Sequence, residues 1–134
     1  MRKIEHIGIA VHDIEASKKL FTKIFGKESY KSEIVESESV ITSFFQLGES
    51  KIELVEATNQ YSPIAEYLAK NREGMHHIAF DVEDIDKEMK RIQNEGIRTL
   101  NDKPKQGADN KLICFLHPKD TNGVLIELCQ QIKQ

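Results

Sequence analysis

Two histidines and two glutamates recur at matching places along this chain, and these four residue types together suit metal chemistry. His6-Ile-Gly-Ile-Ala-Val-His-Asp-Ile14 is answered by His77-Ile-Ala-Phe-Asp-Val-Glu-Asp-Ile85, 71 residues later. Lys51-Ile-Glu-Leu54 is answered by Leu125-Ile-Glu-Leu128, so Glu53 and Glu127 stand 74 residues apart. A duplicated unit with one His and one Glu at corresponding positions can gather two neutral imidazoles and two carboxylates around one point. The two negative charges balance a divalent cation. Such a set suits zinc, cobalt, nickel, manganese or iron better than calcium, and it leaves one or two positions open for a substrate. The plainer alternative makes the histidines ordinary sheet residues and the glutamates cross-strand surface pairs. Recurrence of all four at equivalent places favours the metal site.

Strands are needed to aim these side chains. Residues 4–11 alternate, with Ile7, Ile9 and Val11 on one face and His6, Gly8 and Ala10 on the other. Over 77–82 the second copy does the same: His77, Ala79 and Asp81 share one face, Ile78 and Phe80 the other. In both copies the residue two places from the His is small, which leaves room beside the imidazole. Glu53 lies between Ile52 and Leu54, and Glu127 between Ile126 and Leu128, so both carboxylates point away from the packing face. An inward carboxylate in mid-strand is costly unless it is paired or bound to a cation. His76 competes with His77 as a ligand. The repeat matches His77 with His6, so His76 is expected on the opposite side, packing or hydrogen bonding. His12 falls beyond the strand and is expected to be exposed.

The surrounding pattern supplies the rest of the plan. Asp13 is suited to cap a helix that places Leu20, Phe21, Ile24 and Phe25 on one face and stops at Gly26. Strands at 34–36, 39–47 and 51–56 complete a β-α-β-β-β order over about 1–58. A connecting helix follows over about 62–71, with Ser62 at the cap and Pro63 at the first position. The second module, about 75–132, starts with a strand at 77–82. Asp84 then caps a helix with Ile85, Met89 and Ile92 inward, ending at Gly96. Strands are expected near 97–100, 112–116 and 123–129, and the polar stretch 101–111 is expected to turn. The expected class is α+β: a single domain over 1–134, in which two βαβββ modules form a curved mixed sheet around a metal-binding cup.

Composition excludes several classes. The 134 residues are 39% apolar and 31% charged, as in an ordinary soluble protein. No apolar run approaches the ~18 residues needed to span a membrane. The start, Met1-Arg-Lys-Ile-Glu-His6, has no apolar core of the signal-peptide kind, so a cytoplasmic location is expected. The net charge is −3, with no Lys/Arg cluster flanked by aromatics, which argues against a nucleic-acid partner. Cys114 and Cys129 sit in strand-like segments at a spacing that matches no zinc pattern. They are expected as buried small apolar residues.

Six segments carry a family resemblance: His6-Ile-Gly-Ile-Ala-Val11, Lys51-Ile-Glu-Leu54, Ser62-Pro-Ile-Ala65, Gly74-Met-His-His-Ile-Ala79, Phe115-Leu-His-Pro-Lys119 and Gly123-Val-Leu-Ile-Glu-Leu128. In this order and spacing, over nearly the whole chain, they resemble the vicinal oxygen chelate superfamily of glyoxalases, bleomycin resistance proteins and dioxygenases. Within it they are most similar to the methylmalonyl-CoA epimerases. The resemblance implies one divalent ion (cobalt, zinc, nickel, manganese or magnesium) held by His6, Glu53, His77 and Glu127. It also implies a homodimer and an acyl-CoA substrate whose tail runs over basic loops, with Lys103, Lys105, Lys111 and Lys119 as candidate phosphate contacts. The implied chemistry is proton abstraction next to the thioester, with the ion stabilising the enolate and Glu127 the first candidate for the base.

One departure stands out. The epimerase pattern has a second catalytic carboxylate on the strand before Glu53, where this chain has Thr42; Glu36 and Glu38 are nearby but out of register. The second acid/base is thus unassigned. The main rival is glyoxalase I, whose ligand set is the same. Ser62-Pro63, the His117-Pro118-Lys119 turn and the lysine-bearing loop favour an acyl-CoA over a glutathione adduct. A ring-opening iron dioxygenase would use three protein ligands, and Glu53 counts against it. A non-catalytic binding protein of this fold would typically have lost ligands, and all four are present.

Overall fold

The structure, a computed structural model, describes residues 1–133. The elements run β1 (Lys3–Ala10), α1 (Ile14–Phe25), β2 (Lys31–Val35), β3 (Val40–Leu47), β4 (Ser50–Ala57), α2 (Pro63–Lys70), β5 (Gly74–Asp81), α3 (Ile85–Asn94), β6 (Lys105–Gln106), β7 (Lys111–Phe115) and β8 (Ile126–Gln131). Short 3-10 turns occupy Glu36–Glu38 and Pro118–Asp120. This is the α+β class, with βαβββ running twice along the chain. Two compact units divide it: Ile7–His76, and Met1–His6 together with the chain from His77 onward.

In the Ile7–His76 unit the strands are antiparallel in the order β2-β3-β4, followed by the Ile7–Ala10 end of β1. Their register sets Thr42 opposite Val55 and Phe44 opposite Glu53. The start of α1 is fixed by Asp13, whose carboxylate accepts the Ala16 N–H at 3.1 Å, so that one otherwise unpaired amide of the first turn is satisfied. Gly26, at φ 71°, ends the helix in the left-handed conformation that glycine adopts without penalty. Ile14, Phe21 and Phe25 pack with Val11, Phe45 and Leu54. Leu20 and Ile24, expected on that same inward face, are instead 53% and 61% exposed. Each lies one residue, about 100° of helix rotation, away from Phe21 and Phe25, and the two phenyl rings take the sheet. Ser62 Oγ accepts the Ile64 N–H at 3.1 Å to open α2, which sets Ile64 against Ala10, Val40 and Val55.

In the other unit the row is β5-β8-β7-β6, with the Lys3–His6 end of β1 beside β5. The β5–β8 pair is parallel, and β8–β7 and β7–β6 are antiparallel. This register places Glu127 between Ala79 of β5 and Phe115 of β7. Asp84 caps α3 by accepting the Lys87 N–H at 3.1 Å. As expected, Ile85, Met89 and Ile92 are buried, packing with Val82, Cys114, Leu116 and Leu128. Each such side chain contributes about 1.5–3 kcal/mol by leaving water, so α3 is the main clamp on this side of the sheet.

The strand expected near 97–100 shrinks to a single bridge, Thr99 to Leu116. Arg98 N–H is drawn to the Asp120 carboxylate at 2.8 Å, and the Thr99 hydroxyl donates to the Asn101 carbonyl at 2.7 Å, so side chains claim groups that a ladder would use. The short β6 forms instead at 105–106, inside the stretch expected to turn. Gly107 permits it, since a Cβ there would lie 2.7 Å from Ile113 Cδ1. Cys114 and Cys129 are buried free thiols. Among the described residues no helix is long and apolar enough to cross a membrane.

Candidate metal centre

His6 on β1, His77 on β5 and Glu127 on β8 come together within one unit, all three buried. The Nε2 atoms of His6 and His77 are 3.1 Å apart. Glu127 Oε1 is 3.4 Å from His77 Nε2 and 3.7 Å from His6 Nε2. Alternation along each strand explains the convergence, because all three side chains leave the sheet on one face while their neighbours pack. Ala79, opposite Glu127 in the parallel register, keeps that face open.

The donor set fits a divalent cation. Metal–ligand bonds of about 2.0–2.2 Å separate neighbouring donors by roughly 3.0–3.5 Å, and the three observed separations lie in or just beyond that range. Both imidazoles aim Nε2 at the same point. Two nitrogen lone pairs and a carboxylate facing one another repel unless a cation or a proton sits among them.

Glu5 is a member of this surrounding that its place in the alternation conceals. It is 3% exposed, and its Oε1 is 3.0 Å from His6 Nδ1. An ionised carboxylate only accepts hydrogen bonds, so a proton on His6 Nδ1 would satisfy this contact and leave the Nε2 lone pair to the centre. Cys129 Sγ lies within 4.8 Å of ligand atoms of both Glu5 and His6. Burial, reinforced by Glu127 and Glu5, pushes the Cys129 thiol far up, so it stays protonated. Burial also works against ionisation of Glu127, but His6 and His77, when their rings are protonated, outweigh it and hold this carboxyl below its ordinary value.

The remaining candidates are distributed as follows. Glu53 is buried at the middle of β4, in the Ile7–His76 unit, opposite Phe44. Thr42 is buried on β3, and its hydroxyl has no hydrogen-bond partner among the described residues. Glu36 and Glu38 form the 3-10 turn before β3. His76 stacks edge-on against Tyr67, with centroids 4.9 Å apart, and His12 is exposed, both as expected. Lys103 and Lys119 are exposed, and Lys105 is half-buried on β6. Lys111 is different. Expected in the polar loop, it opens β7, is buried, and donates to the Gln131 amide oxygen. His117 caps the Pro118–Asp120 turn, its Nδ1 accepting the Lys119 N–H at 3.2 Å. That turn is tied down by Arg98, whose backbone N–H, Nε and Nη2 all donate to the Asp120 carboxylate at 2.8–2.9 Å.

Residues 5–115 match the model of the Glyoxalase/Bleomycin resistance protein/Dioxygenase superfamily. The chain is 40% identical to the ethylmalonyl-CoA/methylmalonyl-CoA epimerase of Cereibacter sphaeroides, over 96% of this chain and 97% of that one. It is 37% identical to the mitochondrial methylmalonyl-CoA epimerase of Homo sapiens, over 96% of this chain and 73% of the human one. Among solved structures, a single-substitution variant of Streptomyces coelicolor methylmalonyl-CoA epimerase in complex with 2-nitronate-propionyl-CoA is similar at a TM-score of 0.94 and 38% identity, covering 98% of this chain and 95% of that one.

Proposed function

Because this chain belongs to the Glyoxalase/Bleomycin resistance protein/Dioxygenase superfamily, we propose that it is an epimerase interconverting the stereoisomers of methylmalonyl-CoA or a related 2-substituted acyl-CoA. The convergence of His6, His77 and Glu127 is the observation that carries this reading, in a chain similar to epimerases along almost its whole length. His6, His77 and Glu127 would hold a divalent ion, and Glu53 is proposed as the fourth donor because it is the repeat partner of Glu127. A divalent ion in this site supplies Lewis acidity, which offsets the charge that develops on the thioester oxygen as the neighbouring carbon loses its proton.

Glu127 is proposed as the base. Its carboxyl is held below its ordinary value, so at neutral pH it is ionised and able to accept the α-proton. Its burial excludes water that would otherwise solvate it. Inversion then needs a proton delivered to the opposite face. Thr42 offers a hydroxyl where the epimerase pattern has a carboxylate, so that delivery falls to another group. The phosphate-bearing tail is assigned to Lys103 and Lys119, both exposed, and to Lys105 on β6. Lys111 has its ammonium engaged by Gln131 and is left out. A homodimer working in the cytoplasm completes the proposal. The two unpaired thiols suit a reducing compartment, and light scattering of the purified protein tests the dimer.

The deciding assay supplies a single stereoisomer of methylmalonyl-CoA to metal-reconstituted enzyme in deuterated water. Loss of optical purity with deuterium appearing at the α-carbon is expected. No exchange there, together with turnover of the methylglyoxal–glutathione hemithioacetal, would replace this reading with the lyase.

A further inference from the structure

We propose that Glu5 is a positioning residue for the metal centre: it locks the His6 ring in the Nδ1–H form and so presents Nε2 as the ligand nitrogen. This role presupposes the metal-centre reading above and adds to it a residue outside the His/Glu repeat.

The contact is not a by-product of strand geometry. Successive side chains on a strand point to opposite faces, so a carboxylate next to His6 in sequence would ordinarily sit away from its ring. Here Glu5 Oε1 reaches to 3.0 Å from His6 Nδ1 while the residue is 3% exposed. Burying a carboxylate is costly unless something compensates, and the imidazole N–H does so. Ring orientation follows as well: with Nδ1 tethered, Nε2 is carried to 3.1 Å from its counterpart on His77. An imidazole that donates its far N–H to a carboxylate is also a more basic ligand. Behind the pair stands Cys129, whose Sγ is 3.5 Å from the Phe80 carbonyl and which packs with Ala79 and Ile113. That apolar backing keeps water from competing for the Glu5–His6 bond.

The second copy differs at this position. The residue before His77 is His76, and its ring stacks on Tyr67. At the position of Glu5 the second copy thus carries an imidazole in place of a carboxylate.

The test uses the full chain as Glu5→Ala, Glu5→Gln and His6→Ala. Imidazole nitrogens are followed by long-range 15N–1H NMR in metal-free protein, and Co2+ affinity by competition with a chromogenic chelator. In wild type His6 should carry its proton on Nδ1 alone. In Glu5→Ala the ring should populate both tautomers and Co2+ should bind 10–100-fold more weakly, with a changed visible spectrum. Glu5→Gln keeps an acceptor oxygen in the same volume and should lose less. It also carries the test through the tautomer readout if the alanine variant does not fold. Unaltered tautomer and unaltered Co2+ affinity in the Glu5 variants, alongside lost binding in His6→Ala, would overturn the role of Glu5 and leave the metal centre standing. Undiminished Co2+ binding in His6→Ala would overturn both.

Discussion

His6 and His77 are 71 residues apart in the chain, yet their Nε2 atoms approach to 3.1 Å with Glu127 Oε1 beside them. An arrangement that gathers lone pairs is relieved by a cation, so a divalent ion should stabilise the fold. At an ion concentration 100 times Kd the gain is about 2.7 kcal/mol. That corresponds to a rise in Tm of roughly 10 °C for a chain of this size. Thermal unfolding with Co2+ or Zn2+, against a chelator control, measures it. His77→Ala should show no such rise, and an equal rise in that variant would place the ion elsewhere.

Glu127 should matter more to turnover than to folding. Glu127→Gln removes the basic oxygen but keeps the volume, and kcat for α-proton exchange should fall by about 10²- to 10⁴-fold. Circular dichroism should remain that of wild type. Exchange at near wild-type rate would move the base to another residue.

Glu53 is tested by metal affinity. As the proposed fourth donor, Glu53→Gln should weaken Co2+ binding at least as much as the roughly tenfold lower bound seen when an outer-shell partner is lost. Wild-type affinity in that variant would make Glu53 a buried strand carboxylate and nothing more.

Acid sensitivity should trace in part to Arg98 and Asp120. The hydrogen bonds from Arg98 hold the Asp120 carboxyl well below the usual carboxylate range. A group whose folded value is depressed stabilises the fold above its ordinary value, near pH 3.9, and that contribution fades as pH falls toward the folded value. The Tm gap between wild type and Asp120→Asn should therefore be widest near neutrality and narrow below about pH 4. A gap independent of pH from 7 to 3 would contradict it.

The thiols should be silent in the native protein. Burial pushes the Cys114 thiol up to about 11 and the Cys129 thiol further. At pH 8 a disulfide reagent such as DTNB should label neither in native protein and both in denaturant. Rapid native labelling of either cysteine would show that its strand opens.

Much of the site was legible because strand alternation and duplication act together. His6, His77 and Glu127 each repeat a partner, and parity alone points them to one face. The caps at Asp13, Ser62 and Asp84 are local chemistry and stand where the residues suggest. Glu5 escaped for the opposite reason: parity assigns it to the other face, yet its carboxylate reaches His6 Nδ1 at 3.0 Å. Leu20 and Ile24 escaped because four apolar residues on two adjacent faces of α1 do not say which face meets the sheet. The strand near 97–100 failed because Asp120, more than twenty residues away, captures the Arg98 backbone. Lys111 looked like a loop cation because its partner, Gln131, is supplied by β8.

The brevity of β6 has a consequence for solubility. At the outer margin of its row this strand has two residues, with Pro104 before it and Gly107 after it. A foreign strand seeking to dock there would find too few unpaired amides to hold it. Concentrated protein should therefore resist growing cross-β fibres from this border.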